Sequence, residues 1–152
     1  MWIGGVRVII LDDENRVLMV KQCHENREFW LVPGGAIEAG ETSITAAERE
    51  VREETGLEVM IGRLIWHVEE VSEDRGMRFV NFFLGDIIGG ELKLGEDPEF
   101  SEDGQVLREV AFLTKEEIQN LPKVYPESLR DELWDILKRD QPSHQVYKLK
   151  ST

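Results

Sequence analysis

The chain has 152 residues, with 18 Lys plus Arg against 31 Asp plus Glu and a formal charge of −13. One full-sized hydrophobic core fits this length and two hardly do, and 41% apolar with 32% charged residues is globular rather than disordered composition. The acidic balance excludes broad electrostatic binding to nucleic acid or anionic lipid, so any phosphate-bearing ligand needs a local cation. The longest apolar runs, 8–11 and 82–84, fall far short of the ~18 to 20 residues of a membrane span. The first residues, MWIGGVRVII, lack the layout of a signal peptide, and the single Cys23 cannot form an internal disulfide. A reducing cytoplasm is the expected location.

In chain order, Val6, Val8 and Ile10 alternate with Arg7, Ile9 and Leu11, the polar turn residues 12–15 follow, and 17–20 is apolar again, which predicts a β-hairpin. A short strand at 29–32 runs into Pro33-Gly34-Gly35. Residues 42–55 contain no Gly or Pro, Ile44, Ala47 and Val51 recur at helical spacing, and Gly56 stands where a left-handed residue ends a helix. Strands are predicted at 57–61, 64–71 and 77–88, then an acidic loop at 95–104 and a strand at 105–113. Thr114 and Glu117 have capping-box spacing ahead of a short helix, and Leu129, Leu133, Trp134 and Leu137 predict a longer one over 126–138. The tail from Gln141 has few anchoring residues and is expected to be loosely held. No repeat or linker divides the chain, which predicts a single domain over 1–152 with its core at about 3–138 and a short C-terminal tail.

The carboxylates of 42–55 are the hardest feature to explain as structure alone. At about 100° per residue with Ile44 at zero, Ala47, Val51 and Thr55 lie within roughly 60° of it, and Glu50, Glu53 and Glu54 fall at roughly 240°, 180° and 280°. Three carboxylates at i, i+3 and i+4 thus share a face beside the expected buried stripe, and each like-charge pair costs a few tenths of a kcal/mol. Most Glu-rich helix faces are solvated surfaces. A divalent cation held by hard oxygen ligands would offset the repulsion, a glycine-rich loop at 34–35 could bring a backbone carbonyl close, and Arg49 could orient Glu53.

The stretch from Gly35 through Glu41, Arg49, Glu50, Val51, Glu53, Glu54 and Gly56 to Leu57 resembles the Nudix box at every fixed position: G, five residues, E, seven residues, R-E, an aliphatic residue, any residue, E-E, any residue, G, an aliphatic residue. The Nudix (MutT-like) resemblance implies an α/β fold, an α/β/α sandwich with a mixed, curved β-sheet between helices. It implies hydrolysis of a phosphoanhydride with Mg²⁺ or Mn²⁺ on a small nucleoside diphosphate-type substrate; the acidic charge sets nucleic acid and membranes aside as expected partners. Carried over by position, it implies Glu50 and Glu54 as principal metal ligands and Glu53 as a further ligand or water-activating base. The Gly34 carbonyl would be another ligand, and Glu41 a support or second-metal residue. Family members often take a base from outside the box. Here the acidic loop offers Glu99, Glu102 and Asp103, of which Glu102 is favoured. Homodimers are common among such folds.

For phosphate contact, Lys21, Arg27, Arg63 and Arg78 are candidates, with Lys21 favoured for its place near the glycine loop. Cys23, Trp30, Trp66 and Trp134 are expected to pack as structure, and His24, His67 and His144 lack ligand spacing. Family markers downstream of the box, a Pro for ADP-ribose or a Tyr for diadenosine polyphosphates, are absent from Val71-Ser72-Glu73-Asp74. Oxidised dNTPs, nucleotide sugars, dinucleotides and capped RNA ends remain, with mononucleotide-sized ligands preferred. The alternatives are a sensing domain of the same fold, whose box is usually broken, and a prenyl diphosphate isomerase, whose catalytic cysteine has no evident counterpart in Cys23.

Overall fold

The computed structural model describes residues 3–74, 76–95, 105–138 and 146–151. Two mixed sheets form its centre. Strands β1 (Gly4–Ile10), β4 (Gly34–Ala36), β5 (Leu57–Ser72), β6 (Gly76–Gly90) and β9 (Val146–Ser151) make a five-stranded sheet in the order β4-β1-β6-β5-β9. Strands β2 (Val17–His24), β3 (Arg27–Leu31), β7 (Gln105–Leu113) and β8 (Val124–Tyr125) make a four-stranded sheet in the order β7-β2-β3-β8. The expectation of one mixed sheet becomes two because the first predicted hairpin separates. Apart from one bridge between Leu11 and Val17, β1 pairs with β4 and β6 while β2 pairs with β3 and β7.

Alternation along β1 explains the layering. Val6, Val8 and Ile10 face α1 (Ser43–Thr55) in a core shared with Leu18, Ala46, Ala47, Val51, Val59 and Phe83. Ile9 faces the other way, into a second core with Met19, Trp66, Phe82, Ile118, Leu129 and Leu133. That second core is covered by α2 (Lys115–Gln119) and α3 (Glu132–Leu137), so helices flank the sheets on both sides. Thr114 and Glu117 form the predicted capping box. The helix predicted over 126–138 is interrupted: a 3-10 turn covers Glu127–Leu129, and Asp131, outside helical geometry, accepts the Glu132 N–H and starts α3 afresh. The strands predicted at 57–61 and 64–71 are one strand with three register shifts against β6. Within the tail, 146–151 pairs in parallel with Trp66–Val71 instead of hanging loosely, because β5 offers an open edge there.

Candidate active site

Helix α1 begins and ends where its residues dictate. Thr42 accepts the Thr45 N–H at 3.1 Å and its own N–H donates to Thr45 Oγ1 at 2.9 Å, and Gly56 takes the left-handed conformation at φ +76°. The orphan carbonyls of Glu54 and Thr55 accept the N–H groups of Gly95 and Lys93, both at 2.9 Å. The buried face differs from the one predicted. Ile44 is 48% exposed, while Ala46, Ala47, Glu50, Val51, Glu54 and Thr55 are all buried at 0%. Since small Ala46 and Ala47 fit closest to the sheet, the helix turns so that Glu50 and Glu54 occupy the middle of the inward face and not its margin.

The two glycines of β4 receive those carboxylates. The Gly34 N–H donates to Glu54 Oε1 at 2.9 Å. A Cβ at Gly35 would stand 2.5 Å from both Cδ and Oε1 of Glu50, so only glycine leaves space for the carboxylate. Arg49 joins the rest. Its Nε and Nη2 donate to the two oxygens of Glu41 at 2.7 and 2.9 Å, Nη2 also to the Ala36 carbonyl at 3.0 Å, and Nη1 to Glu50 Oε1 at 3.0 Å and Glu53 Oε2 at 3.2 Å. Glu41 also accepts the Glu38 N–H at 2.9 Å. The hydrogen bonds that Arg49 donates hold the Glu41 carboxyl below the usual carboxylate range, and the same bonds, accepted by Glu41, push the Arg49 pKa up.

Glu41, Glu50, Glu53 and Glu54 set four carboxylates against the one guanidinium of Arg49, and Glu50 and Glu54 are fully buried, which is costly without a cation. A divalent cation fits: the donors are hard oxygens, and the cradle over Gly35 keeps them close to backbone. Glu50, Glu54, Glu53 and the Gly34 backbone are the residues that could hold it. Among the described residues no three His, Cys, Asp or Glu side chains already form a closed ligand set; Glu50 and Glu53 are both turned toward Arg49.

The structure thus brings together Gly34, Glu41, Arg49, Glu50, Glu53 and Glu54. It places Lys21 elsewhere, in the other sheet, 3.1 Å from Glu28 and with its ammonium over the Trp30 ring. Arg63 donates to the Ile136 carbonyl and Arg78 lies opposite Glu70. His67 meets Asn81 at 2.6 Å, and Trp66 is core as expected. Glu99, Glu102, Asp103 and His144 lie outside the described residues. The residue the spacing argument passed over is Arg7, which pairs in register with Gly34 on the face opposite Val6 and Val8 and donates to the Val32 carbonyl at 2.6 Å. Its signal was the period of two itself, a lone charge inside an apolar strand.

Comparison with known proteins gives the family of the chain. The NUDIX domain family matches residues 1–131. The chain is 37% identical over 97 residues to an ADP-ribose pyrophosphatase of Methanocaldococcus jannaschii, covering 61% of this chain and 56% of that protein. It is also 37% identical over 97 residues to the 8-oxo-dGDP phosphatase NUDT18 of Mus musculus, covering 62% and 28%. It therefore spans about half or less of the length of these curated relatives. Among solved structures, a NUDIX hydrolase from Nitrosomonas europaea superposes with a TM-score of 0.70 at 21% identity, covering 91% of this chain and 92% of that one. The MutT protein from Methanosarcina mazei superposes with 0.70 at 19%, covering 91% and 96%. With the family matched over most of its length and the fold shared, the chain belongs to the NUDIX domain family.

Proposed function

We propose that this chain hydrolyses a phosphoanhydride bond in a nucleoside diphosphate derivative, using Mg²⁺ or Mn²⁺. The observation that carries the reading is the pair of fully buried carboxylates, Glu50 and Glu54, seated against Gly34 and Gly35. The names of the two relatives, one for ADP-ribose and one for 8-oxo-dGDP, support the same class of linkage and leave the leaving group open. Among the described residues no helix is long and apolar enough to cross a membrane, and a cytoplasmic location completes the proposal.

When bound, the cation supplies charge neutralisation of the diphosphate and a lowered pKa for an attacking water. Glu50, Glu54 and the Gly34 carbonyl would hold it. Glu53, with a side chain one-third exposed, accepts the proton of the attacking water. Arg49 fixes the orientation of Glu50 and Glu53, and Glu41 in turn fixes Arg49. Glu102, Glu99 and Asp103 are the alternative sources of the base. Phosphoryl transfer needs little covalent work, so positioning and charge compensation are sufficient for such a site.

The test is turnover of ADP-ribose, nucleotide sugars, dinucleoside polyphosphates, dNTPs and 8-oxo-dGDP with Mg²⁺ or Mn²⁺, with products resolved chromatographically. Activity on at least one, abolished by EDTA and reduced ~100-fold or more in kcat by Glu54→Gln, is the expected result. Undiminished turnover in Glu54→Gln would discard the site; silence across the set with metal bound would favour the sensing domain.

A further inference from the structure

Gly34 and Gly35 open the two faces of one sheet edge. Neighbouring residues in a strand point to opposite faces, and β4 is the edge strand of its sheet. The space above Gly35 is taken by the Glu50 carboxylate, on the α1 side. A Cβ at Gly34 would run into β1, meeting the Val6 carbonyl oxygen first and then Cγ of Arg7 at 2.5 Å, so the Arg7 side chain lies directly beside this glycine. The consecutive glycines therefore have the Glu50 carboxylate over one and the stem of the Arg7 side chain beside the other, one residue apart.

Arg7 is half-buried, in register with Gly34 on one side and Phe82 on the other. Its bond to the Val32 carbonyl spans the gap between the two sheets, since Val32 joins β3 to β4. In the other sheet the Tyr125 phenol donates to Glu70 at 2.8 Å; burial and then Glu70 push its pKa up, with Arg7 opposing them least. Among the described residues Arg7 makes no ion pair with a carboxylate, and its one side-chain hydrogen bond is that to Val32. Arg16, Lys21, Arg49 and Arg130 each lie within 4 Å of a carboxylate, whereas half-buried Arg7 holds its charge without one. A guanidinium carries five donors in a planar fork that matches phosphate oxygens two at a time, and here one donor is committed to the protein.

We infer that Arg7 binds a phosphate of the substrate's nucleoside diphosphate moiety, reaching it round the β4 edge from the face opposite the metal-binding carboxylates. The ligand class rests on the hydrolase reading above; the assignment of Arg7 rests on its own geometry. A ligand lying along the side-chain-free edge at Gly34 and Gly35 would meet the carboxylate-bound cation on one side and Arg7 on the other. Arg7 would then supply the local cation that an acidic chain needs for an anionic ligand.

The experiment is calorimetric titration of the full chain in Mg²⁺ with α,β-methylene-ADP and α,β-methylene-GDP, whose P–C–P bridge resists hydrolysis, and with adenosine and guanosine. Arg7→Gln should weaken whichever methylene diphosphate binds by about 10- to 100-fold, the range for a lost charged hydrogen-bond pair, and leave nucleoside binding unchanged. Arg7→Lys, which keeps the charge without the fork, should weaken it about fivefold. An Arg7→Gln affinity within twofold of wild type overturns the inference, as does an equal loss for the bare nucleosides, which would make Arg7 a strut for Val32. If Arg7→Gln fails to fold, an unchanged affinity in Arg7→Lys overturns it. Wild-type protein that binds neither analogue overturns it too. Because the analogues are not turned over, binding through Arg7 without turnover of any substrate would sink the hydrolase reading alone, and turnover with binding indifferent to Arg7 would sink this inference alone.

Discussion

Gly35 has no side chain because Glu50 stands where one would be. An added methyl would lie 2.5 Å from the carboxylate, and since Glu50 is held from behind by α1 and by Arg49, the carboxylate must shift by a sizeable fraction of an ångström. Displacements of about 1 Å at a reacting centre can cost ~100-fold in rate. Gly35→Ala should therefore lower kcat at least ~10-fold while the melting temperature falls by only a few degrees, measured by steady-state kinetics beside thermal unfolding; full activity would mean that Glu50 does not act from this position. The box residues themselves were legible, since their spacing repeats on a helix and their chemistry is unusual. Their depth was not. Counting apolar residues centred the buried face on Ile44, whereas the fold chose the small Ala46 and Ala47 for closest approach and so carried Glu50 and Glu54 inside. Arg7 was readable only as an oddity of pattern, because its meaning depends on Gly34, a residue brought beside it by a strand pairing that no local signal announces.

At the scale of elements, α1 is the part that sequence chemistry defined best, with a threonine pair at its start and a glycine at its end. Those two caps should differ in cost. Thr42→Ala removes the side-chain acceptor for the Thr45 N–H on an exposed turn, worth ~1 kcal/mol. Gly56→Ala forces a Cβ into a left-handed conformation and against the Glu91 carbonyl, so it should cost more, ~2 kcal/mol or above. Denaturant unfolding of both variants checks the order, and a Gly56→Ala protein as stable as Thr42→Ala would show that the turn after the helix relaxes freely. Elements held by distant partners were the ones missed. Strand β4 is three residues long and exists because β1 receives it; β9 exists because β5 has an open edge. The break at Asp131 was missed for a related reason, since the leucine spacing across it satisfies a helical period whether or not the backbone is continuous.

For the whole molecule, the charge of −13 and the proposed substrate have the same sign, and this sets the direction of one measurable dependence. A diphosphate approaching from solvent is repelled by the summed field of the chain at distances beyond the reach of Arg7 or a bound cation. That repulsion is screened by salt: the Debye length falls from ~30 Å at 0.01 M to ~8 Å at 0.15 M ionic strength. The attractive contacts at the site are short and partly buried, so they are screened much less. Encounter should thus quicken with added salt, opposite to the behaviour of an enzyme that steers its substrate electrostatically. With the free divalent cation held saturating at every point, kcat/KM should rise about twofold or more between 10 and 150 mM NaCl while kcat stays level. A fall over the same range would mean that the field at the mouth of the site is positive despite the net charge, and that the Arg7 face, rather than the acidic surface, governs approach.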